Sequence, residues 1–305
     1  MRLAVPDLIS NSYFPAVAAV ELGLMREEGL DVTLELLFPV TDAAAALRDG
    51  EIDFLAGAAH APLYDVRAWD DTTLVAALSN NMYWYLVVAA DSHVDAGSWT
   101  SLRDVRIGAA PGPDTGLRQL LIGAGLDLEE ARIDIAPVPG ADAPSVSFGV
   151  TAAQALEQGR IDAFWANGMG AEVAVRDGIG KVIFDARRCD GEAAGFTFPA
   201  LMTSRRLAAE SPEVVSAAVR AIVRAQRALR EDPSLAEKVA DGLFPPMETG
   251  LIANLVRRDL PFYNSAINDS AVASLQDFAR RAALPGAGGS FARAVAREFA
   301  PLWSS

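Results

Sequence analysis

The sequence predicts an α/β protein made of two lobes, each a mainly parallel sheet flanked by helices. Three observations carry that prediction. Helical and strand-like stretches alternate along most of the chain, as they do where crossover helices join parallel strands. One short stretch occurs twice. Two long apolar and aromatic runs, at 80–89 and 196–203, interrupt the alternation and read as the strands by which the chain crosses between lobes.

The repeated stretch organises the rest. Ala46-Leu47-Arg48-Asp49-Gly50-Glu51-Ile52-Asp53 and Ala155-Leu156-Glu157-Gln158-Gly159-Arg160-Ile161-Asp162 share five of eight residues. Each reads as a helix end, a glycine stop and a short apolar strand. Gly50 and Gly159 suit the left-handed position that closes a helix without a Cβ penalty. Two halves of one plan imply a cleft between them, with equivalent strand ends facing it.

In order, residues 3–5 form a strand, and 7–15 a polar and aromatic loop. A helix spans 16–28 and stops at Gly29. A strand spans 32–38, with Val32, Leu34 and Leu36 on one face. Thr41 or Asp42 caps a helix running to 49. Strands follow at 53–56 and 74–78. The second half opens with a strand at 105–109. Its loop at 110–116 leads into a helix at 117–124, stopped by Gly125. A strand at 133–138 and a loop at 139–148 precede the helix capped by Thr151, and a further strand lies at 181–185. From Ser211 the chain is helical, at 212–230, 234–240, 248–257, 269–283 and 291–299, and 285–289 is a plain loop. The expected lobes are 1–85 plus 200–305, and 86–199.

Composition narrows the function. The 305 residues are 51% hydrophobic and 22% charged, enough for sizeable cores. A net charge of -14 argues against nucleic acid or an anionic membrane as partner. One cysteine, Cys189, and two histidines, His60 and His93, make a disulfide framework or a multi-histidine metal site unexpected. No cofactor is expected either. No stretch is long and apolar enough for a membrane span. Met1-Arg2-Leu3-Ala4-Val5 reads as the first strand rather than a signal peptide, so the chain is cytosolic or numbered from a shortened start.

Strand-end loops supply the candidate ligand contacts. Ser10, Asn11 and Ser12 stand where a strand turns into a helix whose N–H groups favour acceptors. Tyr13 and Phe14 beside them can wall a planar ligand. His60 ends the first repeat strand after small residues that let a ligand approach. Asn81 and Tyr83 lie on the first crossing run. Thr115 opens a second-half helix as a donor, in a loop that lacks the Lys-Ser/Thr ending of a phosphate loop. Trp165 and Asn167 are the counterparts of the His60 loop, and Asn167 can pair with an amide or pyrimidine edge. Glu172, one turn further on, can accept from an amino group. Arg187 and Arg188 precede Cys189, a pattern that lowers a thiol pKa, although one cysteine in a loop is usually incidental. No Gly-x-Ser-x-Gly elbow or His-Glu-x-x-His helix occurs.

On these residues the chain resembles the periplasmic solute-binding family for nitrate, sulfonate, taurine and the thiamine pyrimidine precursor. The resemblance rests on Glu21-Leu22-Gly23-Leu24-Met25-Arg26-Glu27-Glu28-Gly29-Leu30-Asp31-Val32, on Leu47-Arg48-Asp49-Gly50-Glu51-Ile52-Asp53, and on Gly159-Arg160-Ile161-Asp162-Ala163-Phe164-Trp165. It implies the type 2 periplasmic-binding-protein-like fold, two α/β lobes joined by crossing strands and closing on a small solute. It also implies that Glu172 falls where pyrimidine-binding relatives place a carboxylate. The family's cytosolic enzyme branch carries a cysteine-rich motif near the second crossing, where this chain has only Cys189.

Two functions follow as expectations. One is a substrate-binding protein that captures a small organic solute and feeds an ABC permease once exported. The other is a cytosolic enzyme on the same fold, resembling a thiamine-pyrimidine synthase or a decarboxylase, with His60 as base. Fold alone does not choose between them.

Overall fold

The computed structural model describes residues 1–140, 147–189 and 192–304. The strands in chain order are β1 (Arg2–Val5), β2 (Thr33–Leu36), β3 (Phe54–Ala58), β4 (Thr72–Ala77), β5 (Tyr85–Ala89), β6 (Val105–Ala109), β7 (Ile133–Ala136), β8 (Ala163–Ala166), β9 (Gly180–Asp185) and β10 (Pro199–Ser204). The helices are α1 (Phe14–Glu21), α2 (Leu24–Glu27), α3 (Val40–Asp49), α4 (Ala68–Asp71), α5 (Pro113–Gly123), α6 (Phe148–Glu157), α7 (Gly168–Arg176), α8 (Arg205–Glu210), α9 (Pro212–Glu231), α10 (Leu235–Ala240), α11 (Pro246–Asp259) and α12 (Asp269–Arg281). They form two compact units, Met1–Asn81 with Gly195–Ser305, and Met82–Ala194. β5 therefore belongs to the second unit and β10 to the first. Part of the loop expected at 139–148, and Asp190 and Gly191 after Cys189, lie outside the described residues. Among the described residues no helix is long and apolar enough to cross a membrane.

The first unit holds a sheet of order β2-β1-β3-β10-β4 and the second a sheet of order β7-β6-β8-β5-β9. These are the same plan, with β6, β7, β8, β5 and β9 in the places of β1, β2, β3, β10 and β4. In each sheet three strands pair in parallel, and the fourth in order, β10 or β5, runs against both its neighbours. Four strands of each five thus share one direction. The antiparallel one is the strand that reaches its sheet without a crossover helix of that sheet.

The repeat closes in the same way in both units. Gly50 and Gly159 take φ +77° and +65°. The N–H groups of Gly50 and Glu51 bond back to Leu47 and Ala46, and those of Gly159 and Arg160 to Leu156 and Ala155, the paired bonds of a Schellman helix end. The strands that follow, β3 and β8, are buried along their whole length, which their runs of small and apolar residues allow.

The C-terminal part of the first unit supplies its long cover. α9 begins at Pro212 and buries Val215, Val219, Ile222 and Leu229 on one face, the spacing of an amphipathic helix. From its other face Arg220 and Arg224 pair with Glu28 at 2.7 and 3.0 Å. These bonds tie α9 to the chain just after α2.

Several expected elements differ. The helix expected at 16–28 is two, because Gly23 at φ +77° separates α1 from α2. Only 85–89 of the run 80–89 is strand. Asn81 takes φ +64° there, while the Asn80 N–H bonds to Phe262 O at 2.8 Å and the Met82 N–H to Ala194 O at 2.7 Å, so this backbone is satisfied outside either sheet. The second run begins its strand at Pro199 and passes directly into α8, which the sequence reading left out and which Ser204 caps through the Leu207 N–H at 3.1 Å. The helix expected at 291–299 is replaced by 3₁₀ turns at Phe291–Arg293 and Arg297–Ser304. Between them Ala294 O and the Ala296 N–H bond with Leu74 at 2.8 and 3.0 Å. The segment covers the free edge of β4 and cannot also close an α-helix.

Candidate functional site

In each unit the parallel strands deliver their following loops to one end of the sheet, where open α/β sheets take ligands. In the first unit these are the loops after β1, β3 and β4, joined by the residues just before the reversed β10. In the second they are the loops after β6, β8 and β9, joined by the residues just before β5.

In the first unit Ser10, Asn11 and Tyr13 are buried, and Phe14 is buried edge-on to Phe244 with ring centroids 6.3 Å apart. Phe14 is thus packed into that unit's own core. The Ser10 hydroxyl accepts from the Ser12 N–H at 3.3 Å. His60 is buried, with Nδ1 3.0 Å from the Thr197 hydroxyl and the ring edge-on to Phe278 at 5.5 Å. Thr197 also lines a pocket of about 160 Å³ together with Asn80, Asn81, Asn268, Ser270 and Ser274. Amides and hydroxyls dominate its wall, and among the described residues no charged side chain contributes to it.

In the second unit Tyr83 and Trp165 are buried in a row of rings. Tyr83 lies 4.5 Å from Trp84, Trp84 lies 6.0 Å from Trp165, and Trp165 stacks on Phe184 at 6.4 Å. Trp165 Nε1 donates to Pro113 O at 3.1 Å, so it fixes the start of α5 from below. Thr115 is in the first turn of that helix. Asp114 beside it closes its own loop by accepting the Gly112 N–H at 3.0 Å.

Asn167 caps α7. Its Oδ1 accepts from the N–H groups of Met169 and Gly170 at 3.1 and 3.2 Å. The carbonyl edge offered to a ligand on sequence grounds is thus engaged by the helix. Glu172 follows in α7, partly exposed. α6 crosses here so closely that a Cβ on Gly170 would meet the Gly149 backbone at 2.7 Å, which locks the start of α7 in place.

Four residues enter that sequence reasoning had not assigned to ligand contact. Arg187, 2% exposed, stands after β9 with its guanidinium 5.9 Å from the Tyr83 ring centroid, within cation–π range. The only signal was the Arg187-Arg188 pair, weighed for its effect on Cys189 alone. Thr197, Asp259 and Tyr263 gave no local signal, because their partners are far away in sequence. Among the described residues no group of three or more His, Cys, Asp or Glu side chains is placed to hold a metal ion.

A sequence profile described as the NMT1-like family matches residues 10–243. No curated protein sequence matches the chain. Among solved structures the chain is similar to the alkanesulfonate-binding protein SsuA from Xanthomonas axonopodis pv. citri bound to MOPS, with a TM-score of 0.74 and 17% identity over 99% of this chain and 96% of that one. It is similar to the periplasmic nitrate-binding protein NrtA from Synechocystis PCC 6803, with a TM-score of 0.72 and 13% identity over 98% of this chain and 86% of that one. It is also similar to the desulfurization enzyme DSZB, with a TM-score of 0.64 and 18% identity over 98% of this chain and 97% of that one. At these identities the likeness establishes the two-lobe periplasmic-binding-protein-like fold.

Proposed function

The chain belongs to the NMT1-like family, and on that premise we propose that it is a substrate-binding protein of the ABC-importer type, taking one small organic solute. The observation that carries this reading is the duplicated plan. Two sheets of one strand order each set buried polar groups, held by their own framework, at the carboxyl ends of their strands. Preorganised donors and acceptors of this kind bind without paying to order themselves. On this reading the protein works outside the cytoplasmic membrane, with an ABC permease as its partner.

Two solute classes are favoured by separate residues. Arg187 favours an anionic head group such as a sulfonate, since a buried guanidinium suits planar or tetrahedral oxyanions. Glu172 favours an amino-bearing heterocycle. The enzyme DSZB on the same fold keeps catalysis in view, with His60 as proton acceptor. The His60 ring is buried and its Nδ1 lies 3.0 Å from the Thr197 hydroxyl, a bond that orients the ring without engaging Nε2.

A thermal melt against nitrate, ethanesulfonate, taurine, pyrimidine and 4-aminopyrimidine tests the reading. A solute at a hundred times its Kd adds about 2.7 kcal/mol to stability, a rise of roughly 5–10 °C for units of this size. A melting temperature unmoved by every probe contradicts it.

A further inference from the structure

The loop between β1 and α1 is held by residues from the far end of the first unit. Asn11 is 1% exposed, Asp259 0% and Tyr263 2%. Asn11 Nδ2 donates to Asp259 Oδ2. The Tyr263 hydroxyl donates to the Asn11 backbone oxygen at 2.6 Å. Asn11 Oδ1 is buried and has no hydrogen-bond partner among the described residues.

Three features make this arrangement unlike ordinary core packing. Asp259 is the last residue of α11, the end where a helix dipole disfavours a carboxyl group, so its own helix does not account for it. The bond to Asp259 gives the Asn11 amide one orientation, because the flipped amide would set two acceptors face to face. That orientation leaves Oδ1 as a buried acceptor without a donor, a state that folded proteins rarely tolerate. It lies three residues before α1, in a loop at the carboxyl end of the sheet.

We propose that Asn11 Oδ1 receives an N–H or O–H donor of the bound solute, and that Asp259 and Tyr263 are positioning residues that aim it. The inference rests on the solute-binding reading and sharpens it: the solute carries an amino or hydroxyl donor. Asp259 and Tyr263 lie beyond residues 10–243, the part that matches the family profile, so this device is contributed by the chain's C-terminal helices.

The test uses matched probes that differ by one donor group, taurine against ethanesulfonate and 4-aminopyrimidine against pyrimidine, measured by isothermal titration. In the unaltered protein the donor-bearing member of the better-bound pair binds at least about tenfold more tightly, the gain of a good hydrogen bond. Asn11→Ala brings the two members to within about twofold of each other. Asp259→Asn places an amide donor where only acceptors stood. It competes for Asn11 Oδ1 and lowers the preference severalfold, with little change for the donor-free member. Tyr263→Phe keeps the packing volume and lowers the preference in the same direction, which covers the case of an unstable Asp259 variant. The ratio within a pair is insensitive to global stability, so a merely structural role leaves it unchanged. A preference retained in folded Asn11→Ala and Tyr263→Phe overturns the inference while leaving solute binding intact. No binding by any of the four probes overturns both.

Discussion

Asp162 grips Arg106 through both backbone and side chain. Its Oδ2 accepts the Arg106 backbone N–H at 2.9 Å and Nε at 2.8 Å, and its Oδ1 accepts Nη2 at 2.8 Å. The Asp162 N–H returns a bond to Arg106 O at 2.9 Å. In the first unit Asp53 accepts the Arg2 backbone N–H at 2.7 Å and returns its own N–H to Arg2 O at 3.0 Å. The Arg2 guanidinium reaches instead to Glu35. The aspartate shared by the two repeats is therefore the clamp that starts parallel pairing, of β1 with β3 in the first unit and of β6 with β8 in the second.

The Arg106 side-chain bond, with help from its backbone bond and charge, holds the Asp162 carboxyl below the usual aspartate range despite the opposing effect of burial. A depressed folded value means that this stability is fully present above the unfolded value of about 3.9 and fades as pH falls through the folded one. The pair is half-exposed, so Asp162→Asn is expected to cost only about 1 kcal/mol at neutral pH. Urea denaturation should show that difference shrinking below about pH 4. A penalty that does not change with pH would contradict the assignment.

Gly50→Ala and Gly159→Ala should each destabilise by about 1 kcal/mol. A Cβ on Gly159 would meet nothing within 4 Å, and one on Gly50 only Arg206 Nη2 at 3.7 Å. The loss is thus backbone strain in both and nearly the same in both. Denaturation of the single and double variants should give additive losses. A neutral Gly159→Ala would mean that the helix end relaxes out of the left-handed region.

The fold was legible where local chemistry and tertiary structure agree. Gly50, Ile52 and Asp53, with Gly159, Ile161 and Asp162, announce helix end and strand within a few residues, and the structure keeps both copies in equivalent places. It was less legible where distant partners decide. Residues 82–84 are as apolar and aromatic as a strand, yet Asn81 turns the chain before them and Ala194 takes the Met82 N–H. Residues 291–299 have helical composition, yet Leu74 claims their backbone. Asn167 looked like a ligand amide because a strand end and a helix start coincide there, and the same coincidence makes it a cap. Arg187 looked like a neighbour of Cys189 because its burial beside Tyr83 has no local signature.

Asn167→Ala should lower stability by about 1 kcal/mol through the lost cap. Asn167→Ser, which can still accept from the following N–H groups, should restore most of it. Chemical denaturation of both variants separates this role from ligand contact. Equal losses in the two would show that the cap is not what Asn167 contributes.

Arg187 and Glu172 divide the solute classes. If the solute is a sulfonate, Arg187→Gln should weaken ethanesulfonate or taurine by about 2–5 kcal/mol, the loss expected for a buried charged partner. Arg187→Lys should rescue little, because a point charge does not reproduce the guanidinium fork. If the solute is an amino-bearing heterocycle, Glu172→Gln should weaken 4-aminopyrimidine more than Asn167→Ala does, since a neutral hydrogen bond is worth about 1 kcal/mol. Titration of the four variants with a sulfonate and with 4-aminopyrimidine decides it. Unchanged affinity in Glu172→Gln removes Glu172 and the heterocycle reading with it.

The central claim is that this chain binds a solute and releases it unchanged. Isothermal titration of the purified protein with the probe that shifts its melting temperature, followed by proton NMR of the recovered probe, tests that directly. The account predicts one site per chain and a probe recovered intact after prolonged incubation. Conversion of the probe to product, abolished by His60→Gln, would contradict it and establish the enzyme instead.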